Sequence, residues 1–396
     1  FGLEFELAAA LARAAAASRP GAPRRQRLGD GRPPGAGPQT IHLSWAAPVL
    51  RVRATPRGLG ASTGNPLSVH GDTVPALLRE RLAEGGRIVF AGCWREADGE
   101  EVAAILDVAS TRRSTVIARP PRTTPDAASA YVAWWEARMI DAGWAKHHHA
   151  SRDRSSSSYR RTGVPRWLAF QPIPDSVRAA FPPSALAQER DLHMDMLREA
   201  GPRSEVHLQR YAWALDRLPA AGAALLDGAC GLGYGSAMLG RAHMVWGIDE
   251  SRFAIEYATE AFGSASCRFA RGDVCREGDW PDVALDAAVS FETLEHLDRP
   301  ELFLDIARRR LRPGGLLVGS VPNQWADARG RDPNPHHRRV FDAHRLVALL
   351  RPGFTVEQLW GQAIERRGQQ CVVWPLPRLA PGWTPEWLLF LARRRP

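Results

Sequence analysis

Short apolar runs alternate with amphipathic stretches through the second half of the chain. Residues 224–227 and 244–248 have the continuous apolar character of strands that are buried on both faces of a parallel sheet. An apolar stretch suited to a helix lies between them, which is the alternation of a doubly wound α/β fold. The pattern predicts a third strand that ends near Asp273 and a fourth over residues 286–290. A fifth follows the Pro-Gly-Gly turn within residues 311–321.

The first half of the chain carries a shorter alternation. Strand-like runs at residues 87–91 and 115–118 are interleaved with helical patterns at residues 100–109 and 127–143. The spacing predicts a smaller α/β region over residues 66–175. No glycine-rich loop follows its first strand, so no cofactor is assigned to it.

Composition sets the remaining boundaries. Residues 1–65 are rich in alanine, proline, glycine and arginine, which predicts a low-complexity or poorly ordered segment. Residues 172–183 are rich in proline and are expected to form a linker. Residues 185–218 have helical spacing, so residues 176–203 are interpreted as a linker and the start of a leading helix. Residues 204–396 then form one larger domain.

A glycine-rich turn follows the first strand of this larger domain. Gly231, Gly233 and Gly235 alternate, so the backbone can turn sharply and expose bare amides to a ligand at the start of a helix. The second strand ends in Asp249, at the place where an acid can accept hydrogen bonds from two ribose hydroxyls. The glycine spacing differs from the GxGxxG pattern of dinucleotide oxidoreductases. The pattern predicts the nucleoside-binding half of a doubly wound fold.

With these motifs, residues from about Ser204 to the C-terminus resemble the class I S-adenosylmethionine-dependent methyltransferases. Within that class the resemblance is to the methyltransferase type 11 group, which includes the ubiquinone-biosynthesis-type enzymes. It rests on the glycine turn, on Asp249, on the Arg-Gly-Asp273-Val segment and on the Phe291-Glu-Thr-Leu-Glu-His296-Leu segment. The chain departs at Ala229, where many members have glycine, although alanine is small enough to keep the loop competent.

The resemblance implies a Rossmann-like doubly wound sheet of seven strands, with the smaller α/β region on its N-terminal side. Residues 354–360 and 387–392 would be the sixth and seventh strands, the last of them antiparallel. Residues 363–384 would be an insertion that contributes to the acceptor surface. S-adenosylmethionine would be the cofactor.

Roles for individual residues also follow from the resemblance. Asp249 would bind the ribose, Asp273 would accept from the adenine amino group, and Val274 would lie against the ring. Phe291 and Glu292 would lie beside the transferred methyl group. His207, Arg210 and Tyr211 on the leading helix would lie near the cofactor carboxylate, with packing or a surface position as the alternative for them. The predicted cofactor residues are Tyr211, Asp227, Gly228, Ala229, Gly231, Gly233, Asp249, Glu250, Asp273, Val274, Phe291 and Glu292.

Two histidines are the candidate catalytic residues. A hydroxyl nucleophile benefits from a base, and histidine titrates near neutral pH. His337 lies in a loop predicted to cover the pocket, and His296 follows the fourth strand, where a structural role is the alternative. No metal is expected, because the three histidines at residues 147–149 lack a spaced partner. Residues 146–161 are therefore interpreted as a solvated loop.

Charge and cysteine content limit the classes of partner and the cellular compartment that the sequence favours. The net charge is +9, but its 52 basic residues include a single lysine, Lys146, and are scattered, which disfavours a nucleic-acid surface. The five cysteines form no CxxC pair, which is typical of free thiols in a reducing compartment. No apolar run reaches the roughly 20 residues of a membrane helix, and the first residues lack the basic region of a signal peptide. A cytoplasmic location is expected.

The function predicted from the sequence is methyl transfer from S-adenosylmethionine to a small-molecule or sugar-containing acceptor, with oxygen as the expected atom. One alternative is a nucleic-acid methyltransferase. It is disfavoured because the fourth strand ends in Ser-Phe-Glu rather than Asn/Asp-Pro-Pro-Tyr and because no Pro-Cys dipeptide is present. The other alternative is a non-catalytic scaffold, which would be expected to have lost the glycines and acids that this chain retains.

Overall fold

The computed structural model describes residues 40–46, 49–55, 67–69, 78–79, 87–91, 99–119, 125–148, 167–189, 193–324, 334–365, 370–375 and 384–396. Contacts between residues divide the chain into two compact units, Phe1–Ser114 and Thr115–Pro396. The sequence had instead suggested a boundary between residues 175 and 204.

The first unit combines a small sheet with one helix. Strand β1 pairs antiparallel with β2 and parallel with β4, and β2 pairs antiparallel with β3. Helix α1 buries Val102, Ile105, Leu106 and Ala109, whose spacing places them on one face. The elements are β1 (Thr40–Ala46), β2 (Val49–Thr55), β3 (Leu67–Val69), β4 (Arg87–Ala91) and α1 (Gly99–Thr111).

Within the segment 1–65, which was expected to be poorly ordered, residues 40–46 and 49–55 form strands β1 and β2, and the rest of that segment lies outside the described residues. The segment Thr-Ile-His-Leu-Ser-Trp-Ala of β1 alternates apolar and polar side chains, which is the pattern of a strand with one buried face. Composition over a long window obscured this short alternation. The strand at residues 87–91 and the helix at residues 100–109 are confirmed.

The second unit begins with a three-stranded antiparallel arrangement in which β7 lies between β5 and β6. The expected strand at residues 115–118 and the helix at residues 127–143 are confirmed, and a further strand lies at Leu168–Pro172. Two short helices follow where a linker was expected; Val177 of the first helix and Phe181, which follows it, are buried. The elements are β5 (Thr115–Arg119), α2 (Pro125–Asp141), β6 (Trp144–Lys146), β7 (Leu168–Pro172), α3 (Asp175–Ala180) and α4 (Pro183–Glu189).

This N-terminal part of the second unit shares a hydrophobic core with the larger domain. Ala145, Ile173 and Val177 belong to the same buried cluster as Tyr211 and Leu225. Their common burial explains why the division falls at Ser114 and not after residue 175.

An eight-stranded sheet forms the centre of the second unit, in the order β10-β9-β8-β11-β12-β15-β13-β14. The first five strands in this order are parallel, and β15 is antiparallel to β12 and β13. The predicted seven-stranded sheet with an antiparallel last strand is thus confirmed, with one strand added at its edge. The strands are β8 (Ala224–Gly228), β9 (Met244–Asp249), β10 (Cys267–Arg271), β11 (Leu285–Phe291), β12 (Leu311–Pro322), β13 (Phe354–Glu365), β14 (Gln370–Pro375) and β15 (Trp387–Arg394).

The added strand lies within the predicted insertion. β13 continues to Glu365, five residues beyond the expected end at residue 360, and β14 pairs antiparallel with it. The sequence Gln-Cys-Val-Val-Trp-Pro of β14 contains β-branched and aromatic residues that favour a strand. The proline and tryptophan content of residues 363–384 had masked this short run.

Adjacent residues of the sheet enter opposite hydrophobic layers. Leu225 and Val289 join the layer that also contains residues of α5, α6 and α7, whereas Leu226 and Ala288 join the layer with residues of α8 and α9. This alternation is the period of a strand that is covered on both faces. The helices are α5 (Pro202–Leu215), α6 (Tyr234–Leu239), α7 (Arg252–Phe262), α8 (Pro300–Arg310) and α9 (Ala343–Leu350).

The predicted leading helix begins later than expected. Helix α5 starts at Pro202 and not at residue 185, because Gly201 has a positive φ of 86° and a proline disfavours helical backbone at the residue before it. After β11, residues 292–298 form turns, and α8 starts only at Pro300. Among the described residues, no helix is both long and apolar enough to cross a membrane.

Candidate functional site

A cleft of about 1240 Å³ opens where the parallel strands of the large sheet end. Gly231 follows β8, Asp249 ends β9, Asp273 follows β10, and Phe291 ends β11, and all four residues line the cleft. Ligands of open α/β sheets bind outside the carboxyl ends of the strands, so the position agrees with the fold.

The turn after β8 depends on left-handed backbone conformations. Ala229, Gly231 and Gly233 have φ values of 58°, 53° and 78°. A side chain on Gly233 would also place a Cβ 2.6 Å from the Cβ of Ala258, so glycine is required there on two grounds. A Cβ on Gly231 would approach only Cδ2 of His193, at 3.9 Å. The backbone of Gly231 is therefore bare toward the cleft.

The carboxylate of Asp249 is fixed beside this turn. Its Oδ2 accepts a hydrogen bond from the Gly231 amide and its Oδ1 accepts one from the Ser251 amide, both at 2.9 Å. The residue is 6% exposed and lines the cleft. One backbone donor holds each oxygen in place, which gives a preorganised acceptor for ligand hydroxyls.

His193 lies over Asp249, with its Nε2 3.6 Å from Oδ1 of that carboxylate. Its Nδ1 lies 3.5 Å from Oε2 of Glu189. Burial lowers the pKa of His193, but the carboxylates of Asp249 and Glu189 outweigh it, so the pKa is raised above 6.5. The sequence did not single out this residue, because it belongs to no motif and reaches the site from the segment before α5.

Asp227 lies behind the cleft wall. It is fully buried, and it accepts hydrogen bonds from Ser236 Oγ at 2.6 Å and from the Tyr211 hydroxyl at 3.2 Å. Burial raises its pKa to about 7, against the lowering effect of the two hydroxyl donors. Gly235 permits this network, since a Cβ there would fall 1.9 Å from Cζ of Tyr211. Asp227 therefore contacts the turn and α5 rather than the cleft.

Asp273 and Val274 form the far wall. Oδ1 of Asp273 accepts a hydrogen bond from the Cys275 amide at 2.7 Å, and Val274 is buried in the core beneath the cleft. Glu250 lines the cleft beside Asp249. An acid next to an apolar side chain offers a polar edge and an apolar face, which suits a heteroaromatic ring.

The end of β11 carries an ion pair. Glu292 has a positive φ of 53°, and its Oε1 accepts a hydrogen bond from Ser320 Oγ at 2.7 Å. Arg210 of α5 is fully buried and points its Nη1 to within 3.4 Å of the same Oε1. Its Nε donates to Oε1 of Gln362 at 2.8 Å, and its guanidinium lies over the Trp387 ring. Among the described residues, neither Nη1 nor Nη2 makes a hydrogen bond.

The two candidate catalytic histidines lie together at this end of the cleft. The rings of His296 and His337 are 4.8 Å apart between centroids, and both line the cleft. Nδ1 of His296 lies 3.1 Å from the backbone oxygen of His336, and Nε2 of His337 lies 3.0 Å from Nδ2 of Asn334. Glu295 joins them, so that one ligand atom from each of Glu295, His296 and His337 lies within 4.8 Å of the others.

Most of the predicted site residues meet at this cleft. His207 of α5 is half-buried and also lines the cleft, and desolvation lowers its pKa well below 6.5, which favours the neutral ring. Its Nδ1 lies 3.4 Å from the Tyr234 hydroxyl. Asp227, Gly228 and Gly233 do not line the cleft and instead shape the turn from behind. Those that line the cleft are Tyr211, Ala229, Gly231, Asp249, Glu250, Asp273, Val274, Phe291, Glu292, His296 and His337.

Comparisons with known proteins find similarity to methyltransferases. Residues 226–319 match a family described as Methyltransferase domain. A protein of Mycolicibacterium smegmatis named a probable S-adenosylmethionine-dependent methyltransferase is 34% identical over 167 residues, which are 40% of this chain and 60% of the relative. A fatty-acid O-methyltransferase of the same species is 25% identical over 195 residues, covering 48% of this chain and 68% of that protein.

A solved structure of an S-adenosylmethionine-dependent methyltransferase from Thermotoga maritima aligns with a TM-score of 0.40 and 16% identity. The alignment covers 56% of this chain and 99% of that one. The chain spans 60% of the length of the Mycolicibacterium smegmatis relative that is 34% identical to it.

Proposed function

We propose that the chain is a class I S-adenosylmethionine-dependent methyltransferase and that it transfers a methyl group to a hydroxyl of a small-molecule or sugar-containing acceptor. The observation that carries the proposal is one continuous cleft with two chemically different ends. Gly231, Asp249 and Asp273 line one end, and Glu292 and the two histidines line the other.

The residues at the first end fit S-adenosylmethionine. The bare backbone at Gly231 leaves room for a ligand, and Asp249 presents a carboxylate held by two amides. We assign ribose binding to Asp249 and adenine binding to Asp273 and Val274. When bound, S-adenosylmethionine supplies a methyl group on a positively charged sulfur.

Arg210 fits the amino-acid end of the cofactor. Its buried guanidinium makes no hydrogen bond through Nη1 or Nη2 with the described residues, and its contacts Glu292 and Trp387 line the cleft. A carboxylate is the partner that a guanidinium binds best, through two parallel hydrogen bonds. We therefore assign the cofactor carboxylate to Arg210, with Tyr211 packed beside it.

The size of the cleft supports a second ligand. Pockets for one small molecule measure about 300–1000 Å³, and this cleft is larger, at about 1240 Å³. Methyl transfer depends mainly on holding donor and acceptor in line and excluding water, so space for both in one cleft is what the reaction needs. The fatty-acid O-methyltransferase among the relatives supports oxygen as the methylated atom.

Isothermal titration with S-adenosylhomocysteine tests the cofactor site. We expect micromolar binding by the wild-type protein. Asp249→Ala should weaken it about 100-fold or more, because two charge-assisted hydrogen bonds of about 1.5–3 kcal/mol each are lost. Asp282→Ala removes an equally charged but fully exposed carboxylate outside the cleft, and should bind as the wild type does.

Acceptor screening with S-adenosylmethionine follows, with hydroxylated metabolites and sugars before RNA. Wild-type protein that is folded but binds neither cofactor form would refute the proposal and favour the scaffold alternative. Methylation of RNA, with no turnover of small hydroxylated compounds, would replace the proposed acceptor class by nucleic acid.

A further inference from the structure

Three metal-ligating side chains meet at the acceptor end of the cleft. Glu295 and His296 follow β11 in the turn before α8, and His337 comes from the loop before α9. One carboxylate oxygen and one nitrogen from each ring lie within 4.8 Å of one another. Two segments about forty residues apart in sequence are therefore needed to assemble the cluster.

Hydrogen bonds fix the orientation of both rings. A backbone carbonyl can only accept, so Nδ1 of His296, which lies 3.1 Å from the His336 oxygen, carries a proton, and Nε2 is the nitrogen through which the neutral ring would bind an ion. Asn334 accepts from the His336 amide through Oδ1, which turns its amide nitrogen toward Nε2 of His337. Nε2 of His337 therefore accepts from Asn334 here, and an ion bound through that nitrogen would replace the Asn334 amide as its partner. A carbonyl behind the ring, as His336 provides for His296, is a common outer partner of a metal-bound histidine.

We propose that Glu295, His296 and His337 bind a divalent first-row metal ion, with Mn²⁺ as a suitable ion, and that this ion binds the hydroxyl oxygens of the acceptor. Two imidazoles and one carboxylate are a ligand set of such ions. Three protein ligands leave positions of an octahedral ion open, and His296 and His337 line the cleft, so the open positions face the space for the acceptor.

The role of the ion rests on the proposed methyl transfer and makes its acceptor class more specific. A cation-bound hydroxyl loses its proton to water at lower pH, and the oxygen keeps the electron pair that it needs as a nucleophile. Two neighbouring hydroxyls would chelate the ion, so a vicinal diol such as a sugar ring offers is the favoured acceptor. His296 and His337 are then ligands and not bases.

Glu295 would supply the negative charge that holds a cation at this cluster. Its side chain is 1% exposed, so its negative charge lies at the base of the cluster and not in solvent. A buried carboxylate favours a close positive charge. Glu292, three residues earlier, remains engaged with Ser320 and Arg210.

Mn²⁺ titration of chelator-treated full-length protein tests the site directly, with loss of the free-ion electron paramagnetic resonance signal as the readout. We expect one ion per chain with micromolar affinity. His337→Gln should weaken binding at least tenfold, and Glu295→Gln should do so as well. His336→Gln is the matched control, since it removes the adjacent exposed ring outside the cluster and should bind within about twofold of wild type. Thiolates bind Mn²⁺ weakly, so the cysteines do not compete.

S-adenosylhomocysteine binding by the same samples separates this proposal from the proposed function. Protein that binds the cofactor product but no Mn²⁺ overturns the metal site and leaves the methyltransferase proposal in place. Protein that binds Mn²⁺ through His337 but no cofactor form supports the site while refuting methyl transfer. Equal Mn²⁺ affinity of wild type and His337→Gln also overturns the assignment, even if Glu295→Gln fails to fold.

Discussion

Asp227→Asn should make the stability of the protein less sensitive to pH. The Asp227 carboxyl is fully buried and bonded to Ser236 and Tyr211, and burial raises its pKa from 3.8 to about 7. Asparagine has nearly the same shape and can keep a hydrogen bond with each hydroxyl, but it does not titrate.

The sign follows from proton binding. Between about pH 4 and pH 7 the folded protein keeps the Asp227 proton, whereas the unfolded chain releases it. The contribution of this carboxyl to the free energy of unfolding is therefore greatest below about pH 4 and is lost as the pH rises to about 7. A pKa difference of about three units corresponds to about 4 kcal/mol, of which about 3 kcal/mol falls between pH 5 and pH 8.

Urea unfolding at pH 5 and pH 8 measures this contribution. Relative to wild type, Asp227→Asn should gain about 3 kcal/mol in free energy of unfolding on going from pH 5 to pH 8. The exposed Asp305→Asn on α8 serves as the control and should follow wild type at both pH values. An equal change with pH in wild type and Asp227→Asn would refute the raised pKa. Since Asp227 does not line the cleft, its variant should also bind S-adenosylhomocysteine far better than Asp249→Ala does.

Two further changes test the turn and its neighbour. Ala229→Gly should raise the free energy of unfolding, measured in urea, by about 0.5–1 kcal/mol, because removing the strain of an alanine at positive φ outweighs the added conformational freedom of the unfolded chain. Gly231→Ala should lower the free energy of unfolding for the same reason. An Ala229→Gly variant that is less stable than wild type would contradict this argument. S-adenosylhomocysteine affinity should fall from pH 8.5 to pH 6 as His193, whose pKa is raised, becomes protonated and pairs with Asp249. Titrations of His193→Gln should lack this fall, and an unchanged pH dependence in the variant would exclude the histidine as its source.

The side of the cleft formed by the glycine turn and Asp249 could be predicted from sequence, because it depends on the backbone conformation of a few consecutive residues. Gly231 and Gly233 sit at left-handed φ values next to a strand, and Asp249 ends the next strand. Each requirement involves a few consecutive residues, so the spacing alone places them at one sheet edge. Asp227, Gly228 and Gly233 lie behind the cleft wall instead of lining the cleft, and Asp227 joins the network there.

The other side of the site depends on distant segments and could not be predicted in detail. His193 reaches Asp249 from the stretch before α5, and the sequence gives no sign of that approach because residues 185–218 were expected to form one helix, whereas α5 begins only after Gly201. Glu295 and His337 are about forty residues apart, in the turn at residues 292–298 and in the loop before α9. Long-range packing, and not local pattern, decides which side chains meet there.

The single lysine of the chain shows how the N-terminal part of the second unit supports the cofactor site. Residue 146 was expected in a solvated loop, but Lys146 ends β6 and is 2% exposed. Its Nζ lies 3.2 Å from Glu136 of α2 and 3.1 Å from Glu205 of α5, and it donates to Ser204 Oγ at 2.7 Å. A buried ammonium requires such partners, so these contacts fix the first turn of α5 against β6 and α2. Helix α5 also carries the residues assigned to the cofactor carboxylate. We therefore infer that β6 and α2 hold α5 in its position beside the cleft.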